Sequence, residues 1–336
     1  MKDSDFLLYG SYGFVGREIA RRAVQSGLRP LLAGRHAEKL QSQAEQLELE
    51  YRVFALEETR ALEKALSEFP AVLNCAGPYL HTFQPVVEAC LRTATHYLDI
   101  TGEIPVYEAI AARDAQARQA GVMLLPGVGF DVVPTDCLAR HLQGRLPSAA
   151  HLTLAFQTQG PAGLPPGTRR TMREWASYGT RARRQGEIVP LEAPQPRQID
   201  FGDGPVKAYP LSWGDIFTAY YSTGIPNIEE YAAFSQGSMR RQSEQGSTPE
   251  ERAQTVTHVW GEARNDQGQA VRARLHGPEP GVDWTAGCAL AVLRKALSGE
   301  APPGFQTPAK AYGPNLVLET GDVRREDLDG SAGEGE

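Results

Sequence analysis

The sequence predicts an α/β protein: a doubly wound parallel sheet with helices on both faces, followed by a second, mixed α+β domain that is mostly antiparallel. Three observations carry this. Over the first 150 residues, short apolar runs alternate with helical stretches, the rhythm of a parallel sheet buried on both sides. The first apolar run ends in a glycine turn, Gly10-Ser11-Tyr12-Gly13-Phe14-Val15-Gly16, that opens directly into a helical pattern. After Pro147 the rhythm gives way to alternating strands and a hairpin signal.

The elements follow in order. Phe6–Tyr9 is the first strand. Residues 14–26 are helical, with Ile19, Ala20, Ala23 and Val24 on one face and Arg17, Glu18, Arg21 and Arg22 mostly opposite. Gly27 stands where a helix C-cap belongs. Residues 30–33 form a second strand running into Gly34-Arg35, with a helix at 37–47; 51–56 and 58–68 are the third strand and helix. The fourth strand is 71–75, and its helix at 84–94 aligns Val86, Val87, Cys90, Leu91 and Ala94 on one face. A fifth strand at 96–100, one helix at 105–120 closed by Gly121, and a sixth strand at 122–125 complete the set.

In the second half, residues 151–157 alternate as a half-buried strand does, and a Gly/Pro loop follows at 160–167. The arginine-rich segment 169–184 reads as an exposed helix face with Trp175 and Tyr178 turned inward. Strand-like runs lie at 206–211 and 255–262, and Asn265-Asp266-Gln267-Gly268 turns the latter into a hairpin with 270–275. A helix is expected at 284–298. The domain reading is therefore 1–147, then 148–319, with 284–319 able to return onto the first domain. An acidic, disordered tail is expected at 320–336.

The 336 residues carry 34 Lys+Arg against 41 Asp+Glu, a net charge of −7. Such a length favours about two domains of ~150 residues, each able to build a core without staples. Cysteines at 75, 90, 137 and 288 form no Cys-x-x-Cys pair, so neither a disulfide scaffold nor a metal site is expected, and a reducing cytoplasm suits them. The start lacks a signal peptide's basic region, and no run approaches the ~20 apolar residues of a membrane span. Residues 319–336 hold seven carboxylates and two arginines, so five of the seven excess charges belong to the tail and the rest of the chain is close to neutral. Net charge alone is then a weak argument against nucleic acid, and that exclusion rests on the glycine turn.

A glycine turn between a strand and a helix suits a dinucleotide: the turn is tight, no Cβ obstructs the pyrophosphate, and helix N-terminal amides face the anion. Gly10 and Gly13 would supply the turn and the close approach, Gly16 the packing of helix on sheet, and Ser11 and Phe14 would complete the pyrophosphate site. The second strand ends in Arg35, not in the carboxylate that an NAD ribose calls for, and Lys39 follows one helical turn on. These two cations suit a 2′-phosphate, so the expected cofactor is NADP(H); the alternative for Arg35 is a solvated strand end. Asn74 and the Ala76-Gly77-Pro78 loop would border the path from adenine to nicotinamide.

Together these segments resemble the saccharopine dehydrogenase-like oxidoreductases, the group that includes the trans-acting enoyl reductases. The resemblance is carried by YGSYGFVG (9–16), LAGR with HAEKL (32–40), VLNCAGPYLHTFQPVVEAC (72–90) and THYLDITGE (95–103), then by PGVGFDVVPTD (126–136), WGDIFTAYYSTGIPNIEEY (213–231) and TPAKAYGPNLVLE (307–319). Tyr12 stands where the family usually has a small residue. The resemblance implies a Rossmann-type NADP(H) domain joined to an α/β domain that closes over it. It implies no single catalytic constellation, and its substrates include amino-acid adducts and lipid precursors.

Hydride transfer asks the protein for orientation and a proton source. No tyrosine has Lys four residues later, which removes the short-chain dehydrogenase arrangement. Tyr79 and His81, just after Gly77-Pro78, and Asp131 at a strand end are the candidate proton donors; the alternatives are a loop histidine and a carboxylate that caps a helix. Asp99 and Glu103 are placed similarly. Cys137 follows Pro134-Thr135-Asp136 at a predicted helix start, where the dipole would lower its pKa toward a nucleophilic thiolate; the alternative is a buried structural cysteine. Tyr220, Tyr221 and Tyr231 could line a substrate pocket. The arginine segment could steer an anionic substrate or touch a membrane. The expected function is hydride transfer to or from a C=C, C=O or C=N bond of a small or lipid-like substrate, in a cytoplasmic chain that could form a homodimer. A non-catalytic NADP(H)-binding scaffold or a lipid- or membrane-associated protein is the alternative.

Overall fold

The computed structural model describes residues 4–175, 178–234 and 246–328, the Trp175 side chain excepted. Within these, strand and helix alternate through the first 125 residues: β1 (Phe6–Tyr9), α1 (Phe14–Gln25), β2 (Pro30–Gly34), α2 (Ala37–Leu47), β3 (Tyr51–Val53), α3 (Thr59–Leu66), β4 (Ala71–Asn74), α4 (Phe83–Thr93), β5 (His96–Asp99), α5 (Ile104–Ala111), α6 (Asp114–Ala120) and β6 (Met123–Leu125). The strands pair in parallel in the order β3-β2-β1-β4-β5-β6. That is the doubly wound arrangement, with its switch point between β1 and β4. Strands β1, β2 and β4 are buried at every position, as helices on both faces require, while edge strand β3 leaves Tyr51 and Val53 exposed.

The expected single helix at 105–120 is instead two. It breaks at Ala112-Arg113, and the Asp114 carboxylate that starts α6 accepts the Phe305 N–H at 2.7 Å. Phe305 belongs to β15 (Gly304–Phe305), which adds to β6 in parallel as a seventh strand. The break aims α6 at that late strand, a partner almost two hundred residues away that no local pattern announces. The helix Thr285–Leu297, just before β15, also packs on the first sheet's α1 and β4.

A short connection leads from β6 to α7 (Val133–Arg145), which is buried along much of its length because it lies on the inner face of the second sheet. Gly261 permits that approach: a Cβ there would fall 2.7 Å from Leu142. The second sheet comprises β7 (His151–Gln159), β8 (Arg181–Arg184), β9 (Glu187–Pro190), β10 (Arg197–Asp200), β11 (Pro205–Leu211), β12 (Asn227–Phe234), β13 (Val256–Arg264), β14 (Ala270–Gly277) and β16 (Arg324–Asp327). Its described pairs are antiparallel except β7 with β12. Helices α8 (Pro166–Trp175) and α9 (Asp215–Thr223) lie among these strands in sequence. The main hydrophobic core runs from Phe6 through Leu154 and Phe217 to Leu275, and a smaller one gathers Ile199, Phe201 and Trp260.

Two expectations need correction. Residues 324–327 are not a disordered tail: β16 pairs with β14, and Glu326 reaches Arg274 at 2.6 Å while Asp327 meets His141 and Arg145. The acidic residues there answer the basic groups beneath them; residues 329–336 lie outside the described residues. The arginine segment is also not one helix face. It divides into α8 and β8, and the buried Arg183 donates to the Ile216 carbonyl while Arg184 pairs with Glu229. Trp175, expected to turn inward, lies outside the described side chains. Among the described residues no helix is long and apolar enough to cross a membrane.

Candidate functional site

The ends of β1, β2, β4 and β5 open onto a cavity of about 840 Å³. Its far wall comes from the second domain, through residues 165–168, 170–172, 179–180 and 210–213. Of the residues singled out in sequence, Gly10, Gly13, Phe14, Arg35, Lys39, Ala76, Gly77, Pro78, Tyr79, His81 and Asp131 all line it. Ser11, Gly16 and Asn74 do not.

Those three shape the walls. Ser11 is fully buried; its hydroxyl donates to Gln43 Oε1 at 2.9 Å and its carbonyl accepts from Gln43 Nε2 at 3.0 Å. The turn is thereby tied to α2. A Cβ on Gly16 would fall 2.5 Å from the Gly10 carbonyl oxygen, so this glycine lets the turn fold back over its own helix. Asn74 is buried, accepts the Ala76 N–H at 3.1 Å, and donates to the Thr82 hydroxyl at 3.4 Å. Thr82 in turn donates to the Ala76 carbonyl at 2.7 Å.

Gly10 takes φ +76°, and a Cβ there would stand 2.9 Å from the Ala76 nitrogen; the turns after β1 and β4 touch at this point. Helix α1 begins at Gly13 with no capping side chain and no acidic residue in its first turn, so its positive end faces the cavity unneutralised. Tyr12 lies across the end of β2, where a Cβ on Gly34 would fall 2.5 Å from its ring. The Arg35 N–H donates to the Tyr12 hydroxyl at 3.4 Å, and Lys39 Nζ sits 5.7 Å from the ring centre. An anion at this end would therefore meet Arg35 and Lys39 with no carboxylate on β2 to repel it. The α1 end, the glycine cradle and these two cations fit a dinucleotide carrying an extra phosphate. The second domain reaches this end too: Gly246 lies directly on the Phe14 ring, with no room for a side chain.

At the other end stand the acids. Glu103 is buried, and its two oxygens accept the Tyr79 and Leu80 N–H groups, each at 2.8 Å. Asp99 is fully buried and accepts from Thr101, Gly127 and the Tyr97 hydroxyl; burial nonetheless pushes it up to about 6. Both carboxyls are committed to holding backbone. Asp131 differs. Half-buried in the cavity wall, it makes no hydrogen bond or ion pair among the described residues, and burial pushes its carboxyl up to about 7. Gly102 lies against it, a Cβ there standing 3.0 Å from Oδ2. Tyr79 is buried close by, and burial, then the neighbouring acidic groups, raise its phenol well above the ordinary value. His81 sits at the rim with 64% of its side chain exposed, 3.3 Å from Glu174 of α8.

Other candidates fall elsewhere. Cys137 is fully buried, directs its thiol at the Gly313 carbonyl at 3.7 Å, and is held protonated by burial. Tyr220, Tyr221 and Tyr231 do not line the cavity. Tyr220 covers Arg183, Tyr221 packs on Phe217 and Phe305, and Tyr231 donates to Glu229. From the second domain the aromatic lining residue is Trp213, which was not among the candidates although it begins one of the resembling segments. Behind it lies another unforeseen pair. Asp215 and Glu230 are both buried and close enough to influence each other's ionisation, and each has one carboxyl oxygen with no hydrogen-bond partner among the described residues. Glu230 accepts the Trp213 N–H at 3.0 Å, and Thr135 donates to Asp215. Burial raises both carboxyls, which favours a proton held between them.

Residues 6–125 match the family model of the saccharopine dehydrogenase NADP binding domain. A saccharopine dehydrogenase-like oxidoreductase from Mus musculus is 29% identical over 180 residues, taking in 47% of this chain and 42% of that protein. A trans-acting enoyl reductase from Mycobacterium leprae (strain TN) is 32% identical over 153 residues, 43% of this chain and 37% of that one. The chain thus matches less than half the length of these curated relatives. Among solved structures, apo saccharopine dehydrogenase (L-Glu forming) from Saccharomyces cerevisiae superposes with a TM-score of 0.68 at 12% identity, covering 97% of this chain and 100% of that one. At that identity the likeness is one of fold.

Proposed function

From the match of residues 6–125 to the saccharopine dehydrogenase NADP binding domain, we propose that the whole chain is an NADP(H)-dependent oxidoreductase. It moves a hydride to or from a C=C, C=O or C=N bond of a small or lipid-like substrate. The first turn of α1, with Gly10, Gly13 and Phe14, takes the pyrophosphate. Arg35 and Lys39 take the 2′-phosphate. Ser11, Gly16 and Asn74 hold the turns in shape, and Ala76-Gly77-Pro78 borders the path toward the nicotinamide. NADPH, when bound there, supplies the hydride.

Asp131 supplies the proton. In the reducing direction its neutral carboxyl protonates the second atom of the double bond and is left as carboxylate; in the oxidising direction the carboxylate takes that proton back. The observation that carries this assignment is an unpartnered carboxyl, held near neutrality, in the wall of a cavity with the cofactor end on its opposite side. Tyr79 orients the substrate beside it. His81, exposed and engaged with Glu174, is better suited to holding α8 at the rim than to the proton step.

The test is a screen of carbonyl, enone and imine compounds, following NADPH absorbance with wild type and Asp131→Asn. Turnover by wild type that falls about 10²–10⁴-fold in the variant supports the reading. Turnover unchanged in Asp131→Asn removes the proton assignment, and NADPH binding without turnover of any compound favours a non-catalytic binding protein.

A further inference from the structure

A second, much smaller pocket adjoins the main cavity, and the two share Pro165, Thr168 and Trp213 in their walls. Its volume is about 30 Å³, about twice or more the ~10–15 Å³ that a single water needs on the same measure. Four aromatic rings wall it: Phe130, Phe156, Trp213 and Phe234. They are locked against one another, Phe156 stacking on Trp213 at 5.3 Å and meeting Phe130 and Phe234 edge-on at 5.5 and 5.7 Å. The charged group at its floor, Glu279, is buried and spent: its oxygens accept the Gly281, Val282 and Asp283 N–H groups. The pocket therefore offers shape and apolar surface but no free charge.

Position gives it a role. Phe130 and Asp131 are consecutive, so one turn of chain presents a ring to the small pocket and the unpartnered carboxyl to the large one. We infer that the substrate carries a compact apolar branch, about one or two carbon atoms, next to the bond that reacts, and that this aromatic pocket receives it. The inference rests on the oxidoreductase reading and adds the substrate's shape to it. A hydrogen in place of the branch leaves the pocket unfilled, and a charged or longer branch does not enter. One methylene in such a pocket discriminates by about 10–200-fold in kcat/KM.

Two measurements test this separately from turnover as such. Crystals of the NADP⁺-loaded chain are pressurised with xenon, which seeks small dry apolar cavities. One xenon atom is expected between Phe156 and Trp213, and Ala162→Leu, which fills the pocket from its wall, should abolish it. Ordered water in the pocket, or xenon bound only elsewhere, overturns the inference. In the NADPH screen, compounds with a methyl or ethyl branch beside the reacting bond should exceed their unbranched analogues at least about tenfold in kcat/KM. Ala162→Leu should lower that ratio about tenfold; Thr168→Leu, which narrows the mouth, serves if Ala162→Leu does not fold. An unchanged ratio overturns the inference even if turnover is robust. Xenon bound without turnover of any compound overturns the substrate assignment together with the oxidoreductase reading, and leaves a dry cavity.

Discussion

Glu103 holds the turn at Tyr79 with both of its oxygens, accepting the Tyr79 and Leu80 N–H groups at 2.8 Å each. Tyr79 belongs to the cavity wall and Glu103 to the chain after β5, so one buried carboxylate fixes the loop after β4 against its neighbour. Glu103→Gln turns an amide NH₂ toward one of these N–H groups. It should cost about 1–3 kcal/mol of stability and weaken NADPH binding, since the Ala76–Pro78 loop loses its anchor. Thermal melts and NADPH titration of the variant check both; a variant unchanged in each would show that the loop is held by other contacts.

If Asp131 is the proton donor, it sets the pH dependence of turnover. Burial lifts its carboxyl to about 7, so it is protonated below that pH and ionised above it. In the reducing direction kcat/KM should fall as pH rises through about 7, and in the oxidising direction it should rise over the same interval. Asp131→Asn should lose this inflection in both directions. Gly102→Ala, which pushes a methyl against the carboxyl, should lower the rate while leaving NADPH affinity near wild type.

Glu18 ties the glycine-turn helix to the second domain. It accepts from Arg21 and Arg22, and Arg22 also pairs with Asp283, which Arg252 meets from the other side at 3.3 Å. Burial alone would raise Glu18, yet the two arginines hold it down to about 2, below its ordinary 4.5. A depressed carboxylate stabilises the fold above its unfolded value and loses that contribution as pH falls toward the folded one. Denaturant unfolding should therefore show stability declining from about 4.5 toward about 2. Glu18→Gln should be less stable by roughly 1–2 kcal/mol near neutrality and should show a shallower acid decline.

The Asp215–Glu230 pair acts in the opposite sense. Burial raises Glu230 to about 7, so its contribution to stability is greatest below the ordinary value of 4.5 and is lost as pH rises to about 7. Glu230→Gln removes the ionisation and keeps both an acceptor for Trp213 and a donor for Asp215. It should melt higher than wild type at about pH 8, by about 1–3 kcal/mol, with the difference shrinking at about pH 5. A lower melting point at about pH 8 would contradict the shared proton.

The parallel sheet was legible because most of its strands are local apolar runs, each followed by a helix. The glycine turn and Arg35 were legible because their chemistry sits within one strand–turn–helix unit. What the sequence concealed depends on distant partners. Asp114 breaks the helix at 112–113 for the sake of Phe305, and Glu326 joins a strand because Arg274 faces it. The two functional surprises have the same origin: Asp215 and Glu230 meet only when α9 packs behind β12, and Phe156 meets Trp213 only when the second sheet forms. Ser11 and Asn74 were expected at the ligand and stand behind the wall, because each side chain is consumed in holding a turn.

The most direct test of the central claim is the affinity of NADPH and NADH for wild type and for Arg35→Asp, measured by calorimetric titration. If Arg35 and Lys39 receive the 2′-phosphate, the variant should lose about 10–100-fold in NADPH affinity, as expected for a charge-assisted contact, while NADH changes little. Equal losses for both cofactors, or no loss for either, would contradict the placement of NADP(H) in this cavity.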